Sequence, residues 1–574
     1  MEVAMVEFIQ TQNNFAHGEI DAEFFARNDI SGVAKLENMD VLPGGGITRR
    51  PGLKAVASLY EEVRIIPFSV SETENYIVVV GDEYIDVLAQ DGTRVQSLIT
   101  PWTLDDIAQL QYAQRFGTMI FVHPDYQPYV MSPKNNGFQI KQFSFSSNDD
   151  MTVNIPFMKF DDADGVTITV TSNAGGNNFA TFTTNVNFWD SSRVGELLFL
   201  MGLQWQITSF IDAKTVVAQT NSTYTLPAEP ITDWYEAAFG DFRGWPCSIT
   251  FHQDRLVFGG SRSHPSGIWM SQIGKHNNFA VGTGLDDEAI FITLVSGQRQ
   301  QICTVVSSDN LQILTSVGEW AISNKPLTPS SINIKQHTSV GSVVSRYLPP
   351  QEIEGQTVFV AGNMRDIREL ALDELGENYN ANDLCALSKH LMNNPIDIAY
   401  NPLEHKLFVV MADGTMSVLN KNSNLHILAW GKYKTDGKFK SVAVVGNITY
   451  VVVQRGANFV LEKFDDTALD DVGNAFDFCA WGLPLRASNH NVTRMHIRKI
   501  TVRLLDTKSL FINDKRVVLP NEIYAPGAPG FSGDMSITQL GTSHECINSP
   551  WKIHGSDALP ATILSVSMYG NYGI

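Results

Sequence analysis

The most informative stretch of the chain reads Cys247-Ser-Ile-Thr-Phe-His-Gln-Asp-Arg-Leu-Val-Phe-Gly-Gly, followed by Ser261-Arg-Ser-His-Pro-Ser-Gly-Ile-Trp-Met-Ser271. Apolar and polar residues alternate up to a turn at His252-Gln-Asp254, and a second apolar run ends at two glycines. A third apolar run follows a turn rich in serine, proline and glycine. This pattern predicts three short strands in a meander, which is a natural sheet for a β-propeller blade.

Similar groups of short strands recur along the chain, each interrupted by Gly, Asp or Asn. They are predicted at 76–98, 118–131, 304–323, 357–372, 396–420 and 441–464. With the stretch above, they make roughly six or seven units of a repeat architecture. The sequence therefore predicts an all-β fold: an irregular β-propeller of about six or seven blades, with an inserted small β domain and a C-terminal β domain.

The changes of rhythm along the chain define five regions. They are an N-terminal arm with a glycine-rich loop (1–60), a first propeller part (61–144), an inserted β domain (145–235), a second propeller part (236–474) and a C-terminal β domain (475–574). Short helices are predicted at Leu104–Gln114, capped by Thr103, and at Asp383–Met392. Strands of the C-terminal domain are predicted near Met495–Leu504 and Thr562–Tyr569.

Composition limits the class of protein. The chain has 574 residues, 43% of them hydrophobic, with 43 glycines and 24 prolines, which suits a large, turn-rich β protein. The sequence contains no apolar run of about 18 residues, so it predicts no membrane span. The first residues lack the features of a signal peptide. The five cysteines lie far apart, which predicts a reducing compartment without disulfides or a zinc site: Cys247, Cys303, Cys385, Cys479 and Cys546.

The formal net charge is −20. A protein that grips DNA on its outer surface would normally be basic, so this surplus of acids argues against that class.

No catalytic, cofactor-binding or metal-binding motif stands out in the sequence. The chain has no Gly-x-Ser-x-Gly elbow, no His-Glu-x-x-His and no repeated aspartate box of the sialidase propellers. Asp161–Gly165 resembles a calcium loop only faintly and predicts a hairpin turn instead. Acidic pairs are frequent and allow three interpretations: solvated loop charges, a glycosidase pair across a groove, or acids from several subunits that line a channel.

Arg49 and Arg50 follow a Gly-Gly-Gly loop and precede Pro51. The loop lacks the Lys-Ser/Thr of a phosphate-binding loop. The two guanidinium groups are predicted to clamp carboxylates of a neighbouring element or subunit, which makes them candidate subunit-interface residues.

The chain resembles the tail nozzle proteins of short-tailed bacteriophages, the tail-tubular-protein-B type, over most of its length. The resemblance is densest in Gly244-Trp-Pro246, Arg255-Leu-Val-Phe-Gly259, Ile268-Trp-Met-Ser271, Asp287-Glu-Ala-Ile290 and Gly318-Glu-Trp320. It also includes Gly45-Gly46, Arg50-Pro-Gly52, His123-Pro-Asp-Tyr-Gln-Pro128, Asp413-Gly-Thr415 and Trp430. The inserted domain and residues 475–524 carry less of it.

The resemblance implies a structural virion protein rather than an enzyme. Such nozzles form a homohexameric ring below the portal and adaptor, close the tail, and conduct DNA during ejection. The implied partners are the protein itself, the tail adaptor, and tail fibres or spikes. The implied location is the virion tail, assembled in the host cytoplasm. DNA would pass without specific binding, and Asp286, Asp287 and Glu288 are candidate lumen-facing acids because a negative wall repels phosphates.

Two alternatives stay open at this stage. One is a propeller glycosidase that acts on host surface polysaccharide, and the other is a monomeric propeller that binds partners as a scaffold. Within the opening stretch, Trp269 is predicted to be buried and Arg255 to pair with a neighbouring carboxylate.

Overall fold

The protein is described by a computed structural model that covers residues 5–25, 27, 30–135, 137–172, 178–373, 376, 378–484, 494–525, 527–539, 543–545 and 548–573. The chain divides into two compact units. Unit 1 comprises Met1–Ser97, Leu348–Ala371 and Ala381–Ile574, and unit 2 comprises Leu98–Tyr347 and Leu372–Asn380.

The fold is an all-β, irregular β-propeller, as the sequence predicts. In the described residues its blades are seven antiparallel groups of four strands, of which six are separate four-stranded sheets and one is the first part of a nine-stranded sheet. Blade 1 consists of Arg64–Ser69, Asn75–Gly81, Tyr84–Ala89 and Arg94–Ile99, and blade 2 of Gln111–Arg115, Thr118–His123, Tyr126–Lys134 and Gly137–Gln142. Blade 3 consists of Ser248–His252, Arg255–Gly259, Gly267–Met270 and Ile290–Thr293, and blade 4 of Ile302–Ser307, Leu311–Thr315, Glu319–Ile322 and Ile334–Thr338. Blade 5 consists of Gln351–Ile353, Gln356–Val360, Ile367–Leu372 and Tyr379–Asp383. Blade 6 consists of Pro395–Asn401, Lys406–Met411, Met416–Asn422 and Ile427–Tyr433. Blade 7 consists of Lys438–Val445, Ile448–Arg455, Asn458–Asp465 and Gly52–Leu59.

Blade 3 confirms the meander predicted from the opening stretch. Its first hairpin turns at Gln253 and Asp254, which both have positive φ, at 44° and 61°. Two such residues make the tight turn whose twist matches antiparallel strands. The sequence reading missed only the outer strand, Ile290–Thr293.

In unit 1, the first strands of blades 5, 6, 7 and 1 contact one another in that order. Buried polar groups join three of them. Asp397 of blade 6 accepts hydrogen bonds from the Ser441 hydroxyl (2.5 Å) and the Val442 amide (3.0 Å) of blade 7. The same hydroxyl accepts from the Ile65 amide of blade 1 at 3.0 Å. Ser441 therefore links three consecutive blades.

In unit 2, the first strands of blades 2, 3 and 4 contact one another in the same way. The Ser248 hydroxyl of blade 3 accepts a hydrogen bond from the Val305 amide of blade 4 at 2.8 Å. A buried hydroxyl on a first strand thus bonds the next blade in both units.

Blade 7 is completed by a strand from the other end of the chain. Gly52–Leu59 pairs with Asn458–Asp465 in antiparallel register, so the N-terminal region supplies its outer edge.

The inserted domain of unit 2 is one seven-stranded sheet with its own core. Its strands lie in the order Phe157–Met158, Trp234–Ala237, Leu197–Leu200, Leu203–Asp212, Thr215–Gln219, Phe179–Thr184 and Ile168–Ser172. Trp205, Trp234 and Phe182 are fully buried in its core.

The C-terminal region contributes to two sheets of unit 1. The first contains Met39–Val41, Ile47–Arg49, Thr562–Gly573, Arg494–Thr507 and Phe531–Thr538, with Met5–Gln12 paired to the third strand and Ser543–Glu545 to the fourth. The second extends blade 6 through Lys35–Glu37, Phe478–Trp481, Lys552–Gly555, Phe511–Ile512 and Lys515–Arg516. N-terminal and C-terminal strands therefore share both sheets.

Helices are few and short in the described part of the chain. The α-helix is Leu104–Ile107, and the 3₁₀ turns are Ala22–Phe24, Asp161–Ala163, Ser191–Arg193, Lys389–Leu391, Ser423–Leu425 and Asn521–Tyr524. None of these described segments is long and apolar enough to span a bilayer.

The two helices predicted from the sequence are wrong beyond a single turn. Thr103 does cap the first with Asp106, but Gln111–Arg115 is the first strand of blade 2. Asp383 ends a strand of blade 5, and only Lys389–Leu391 is helical in the second. At the first place sheet pairing overrides the local helix signal, and at the second the residues between Asp383 and Lys389 form turns.

Candidate functional site

Arg49 and Arg50 are buried inside unit 1, which corrects the prediction that they form a subunit interface. Arg50 is fully buried and contacts Asp471 through two hydrogen bonds of 2.9 and 2.7 Å. Arg49 donates to the carbonyls of Leu559 (3.0 Å) and Leu469 (2.8 Å) of the same chain. Burial, together with the neighbouring Arg50, lowers the pKa of Arg49 to about 10. The clamp on a neighbouring element exists, but it lies within one chain.

Arg255 and Trp269 of blade 3 are also buried, as predicted. The ring of Trp269 contacts Phe239, with ring centroids 4.7 Å apart. Arg255 donates to backbone carbonyls at Ser271 (2.7 Å) and Asp286 (2.8 Å) rather than to a carboxylate. The predicted carboxylate partner is therefore wrong. Burial lowers the pKa of Arg255.

The three candidate lumen acids lie in the loop before the outer strand of blade 3. Asp286 and Asp287 are exposed. Glu288 accepts from the amides of Gly284 (2.6 Å) and Leu285 (2.9 Å), and these bonds lower its pKa. Glu288 therefore shapes the loop, while the two aspartates project charge into solvent.

Asp366, Asp383 and Cys385 meet within 4.8 Å, which is close enough to hold a cation. Arg368 and Lys389 already form ion pairs with both aspartates, at 2.9 to 3.6 Å. Burial raises the pKa of Cys385 to about 12, so its thiol stays protonated and is a poor ligand. Both carboxylates of this group are therefore already paired with cationic side chains of blade 5 and the turn that follows it.

The inserted domain contains a second group of charges. Glu236 is buried and pairs with Arg193 (2.9 Å) and Arg243 (2.7 Å), and Arg243 also binds Asp162. Glu196 lies beside this group, 4.0 Å from Arg193. Burial raises the pKa of Glu196 to about 7 because the arginines are engaged by the other two acids. With this pKa, Glu196 is suited to proton transfer at neutral pH. A glycosidase also needs a second carboxylate, and the neighbouring Glu236 is only 2% exposed and cannot contact a sugar.

One polar cavity of about 470 Å³ lies at one end of blades 2, 3 and 4. In an antiparallel blade, the start of the first strand and the turn between the second and third strands lie at the same end. Equivalent segments of three blades meet here: Pro124 and Asp125; Cys247, Ser261, Arg262 and Pro265; and Arg299, Gln300, Gln301 and Ser316.

Two arginines give this cavity its charge. Arg262 Nη1 lies 2.6 Å from Asp125 Oδ1, so these two charges offset each other. Arg299 is exposed, and among the described residues its side chain has no ion pair or hydrogen bond. The cavity therefore has one uncompensated positive charge.

Gln300 places an amide at the cavity. Its Oε1 accepts from Trp320 Nε1 at 3.1 Å, and since an indole nitrogen only donates, the orientation of the amide is fixed. Its Nε2 is buried and has no partner among the residues that the structure describes. Burial raises the pKa of the Cys247 thiol at this cavity to about 12.

Sequence reasoning missed Arg262, Arg299 and Gln300 as site residues. Each follows a separate turn, and only the propeller brings the turns together. A sequence signal for Arg299 and Gln300 does exist in the polar run Ser296-Gly-Gln-Arg-Gln-Gln301, which directly precedes an apolar strand, but it was not used.

Fold and site together define a β-propeller protein with an open polar cavity across three blades. No protein-family model matches the chain, and no curated protein matches it by sequence. Solved structures similar to it include the Pan2 WD40 domain of Neurospora crassa (9% identity, TM-score 0.34, 73% of this chain and 95% of that one). BamB from Moraxella catarrhalis is also similar, with 10% identity and a TM-score of 0.33 over 72% of this chain and 98% of that one. The C-terminal WD40 domain of Sif2 has 11% identity and a TM-score of 0.35 over 72% of this chain and 99% of that one. At such TM-scores these proteins say nothing about what this chain does.

Proposed function

We propose that this protein is a structural subunit of a short bacteriophage tail, the nozzle that forms its distal ring and conducts DNA during ejection. The proposal starts from the sequence resemblance. Several residues that carry it are framework residues here: Arg50 and Arg255 are fully buried, and Trp269, Glu319 and Trp430 are each 1% exposed. These five residues of the resemblance therefore belong to the buried framework of the fold.

The observation that carries the proposal is the cross-bracing by buried arginines. Arg49 joins its strand to carbonyls about 500 residues away, and Arg50 joins Asn38 to Asp471. Arg255 ties two loops of blade 3 together. Such bridges resist local opening, because each separation exposes several unsatisfied polar groups. A conduit that carries DNA under pressure needs this stiffness.

The surplus of acids supports the same proposal. Duplex DNA carries one negative charge per about 1.7 Å, so basic walls would retain it and acidic walls let it slide. In the proposed ring, the exposed Asp286 and Asp287 face the lumen.

Native mass spectrometry of the purified chain tests the ring. We expect a species of six times the chain mass, alone or after addition of the tail adaptor. A chain that stays monomeric at high micromolar concentration with the adaptor present would contradict the proposal.

The lumen is tested with Asp286→Lys/Asp287→Lys in an assembled virion. We expect slower DNA release in a triggered ejection assay, with the delay shrinking at high salt. Asp149→Lys/Asp150→Lys is the matched control, because it makes the same change of charge at exposed acids of another loop. Equal release rates for both variants would place Asp286 and Asp287 outside the lumen.

The glycosidase remains the alternative hypothesis. Its catalysis needs two carboxyl groups facing each other across a substrate groove, about 5 to 10 Å apart. The cavity across blades 2 to 4 is lined by one carboxylate, that of Asp125. Release of reducing sugar from host surface polysaccharide by the isolated protein would support the glycosidase over the nozzle.

A further inference from the structure

We propose that the cavity across blades 2, 3 and 4 binds a peptide segment of a partner protein through a carboxylate of that segment, with Arg299 as its main contact. The inference does not depend on ring formation, because all of its lining residues lie in unit 2 of one chain.

The first argument is size and position. A volume of about 470 Å³ falls within the range of ligand sites, which is roughly 300 to 1,000 Å³. The site is formed by loops on rigid blades, the usual arrangement for recognition. It admits a side chain with its flanking backbone.

The second argument is the set of donors. Arg299 offers a planar guanidinium without a partner among the described residues, and Gln300 adds an amide nitrogen whose hydrogen-bonding capacity is unused there. A buried donor without an acceptor is costly, and an acceptor from a ligand would remove that cost. A carboxylate supplies two coplanar acceptor oxygens, which match a guanidinium and a neighbouring amide.

The third argument is charge, which separates a carboxylate from a nucleic acid. Arg262 and Arg299 against Asp125 leave a net charge of +1 at the cavity. One positive charge suits one carboxylate, whereas a phosphate chain needs a basic surface that a chain of net charge −20 lacks.

The test measures binding of fluorescein-labelled hexaglutamate to the full chain by anisotropy at physiological salt, with hexaserine and a thymidine hexanucleotide as comparison probes. We expect hexaglutamate to bind in preference to both. Arg299→Gln should weaken binding about tenfold, which corresponds to one charge-assisted contact, and Arg299→Glu should abolish it. Arg299 is exposed, so these variants should fold normally.

Arg365→Gln and Arg365→Glu are the matched controls. Arg365 is an exposed arginine of blade 5, outside the cavity, and its replacement changes net charge equally. We expect the controls to bind within about twofold of the original chain, because the contact is local. The proposal is overturned if hexaglutamate fails to bind, if both arginine positions weaken binding equally, or if the thymidine probe binds more tightly.

Discussion

Arg50 in unit 1 and Arg255 in unit 2 are both fully buried, yet they are neutralised in different ways. Arg50 faces the carboxylate of Asp471, itself 1% exposed, through two hydrogen bonds. Arg255 faces backbone carbonyls that end strands and loops of blade 3. In the first arrangement, loss of Arg50 leaves the charged carboxylate of Asp471 buried without a partner. In the second, loss of Arg255 leaves only uncharged backbone carbonyls without a donor. The two regions should therefore respond differently to the same substitution.

The largest effect is expected from Arg50→Met. It leaves the buried carboxylate of Asp471 without its partner, which typically costs about 3 to 5 kcal/mol of unfolding free energy. Denaturation in guanidinium, followed by tryptophan fluorescence, measures the change. Arg50→Met/Asp471→Leu should recover much of the loss, because both charges are then gone. A double variant as unstable as the single would show that the arginine acts through packing and not through the ion pair.

A smaller loss is expected from Arg255→Met. The carbonyls of Ser271, Asp286 and Glu288 lose their donor. Asp286 and Glu288 lie in a loop that water reaches, so the expected cost is that of one buried acceptor, about 1 to 3 kcal/mol. The same denaturation experiment applies, and the distinction between the two arginines disappears if Arg255→Met destabilises as much as Arg50→Met.

Ser441→Ala extends the comparison to a neutral brace. It removes one hydroxyl that serves Asp397 and the Ile65 amide, and we expect a loss of about 1 to 2 kcal/mol. Ser248→Ala is the counterpart in unit 2, where the hydroxyl accepts from one amide only, and it should cost less. An equal loss at both positions would indicate that the link to Asp397 adds nothing.

The effect expected from Glu196→Gln depends on pH, and at pH 5 it is the smallest of these effects. The pKa of Glu196 is raised from 4.5 to about 7, so between these pH values the folded state binds more protons than the unfolded state. Its contribution to stability therefore falls as pH rises through this window. Glu196→Gln should remove that slope, and at about 1.4 kcal/mol per pKa unit its stabilising effect grows from roughly 1 kcal/mol at pH 5 to roughly 3 kcal/mol at pH 7. Unfolding midpoints at pH 5 and pH 7 measure it, and an unchanged slope would place the raised pKa elsewhere.

Local patterns were enough to predict the blades. The alternation around Ile249 and the turn at Gln253 and Asp254 specify a hairpin without help from distant residues. They were not enough at Gln111–Arg115, where a helical pattern forms the inner strand of blade 2 because neighbouring strands offer better pairing.

The site was harder to predict than the fold for a physical reason. Arg49 and Arg50 look like surface clamps in a sequence, and their burial depends on carbonyls and an acid more than 400 residues away. The cavity depends likewise on Asp125, Arg262 and Arg299, which are separated along the chain and adjacent only after three blades have formed. Spacing within one segment contains no signal for such a meeting.

Blade 7 also sets an order of events during synthesis. Gly52–Leu59 leaves the ribosome about 400 residues before Asn458–Asp465, its partner in the sheet. At translation rates of about 5 to 20 residues per second, the early strand waits roughly 20 to 80 seconds with an unpaired edge. Until then the nascent chain exposes a template for pairing with other chains. Lys54 and two neighbouring small residues, Ala55 and Ala57, make that edge a poor one for aggregation while it waits.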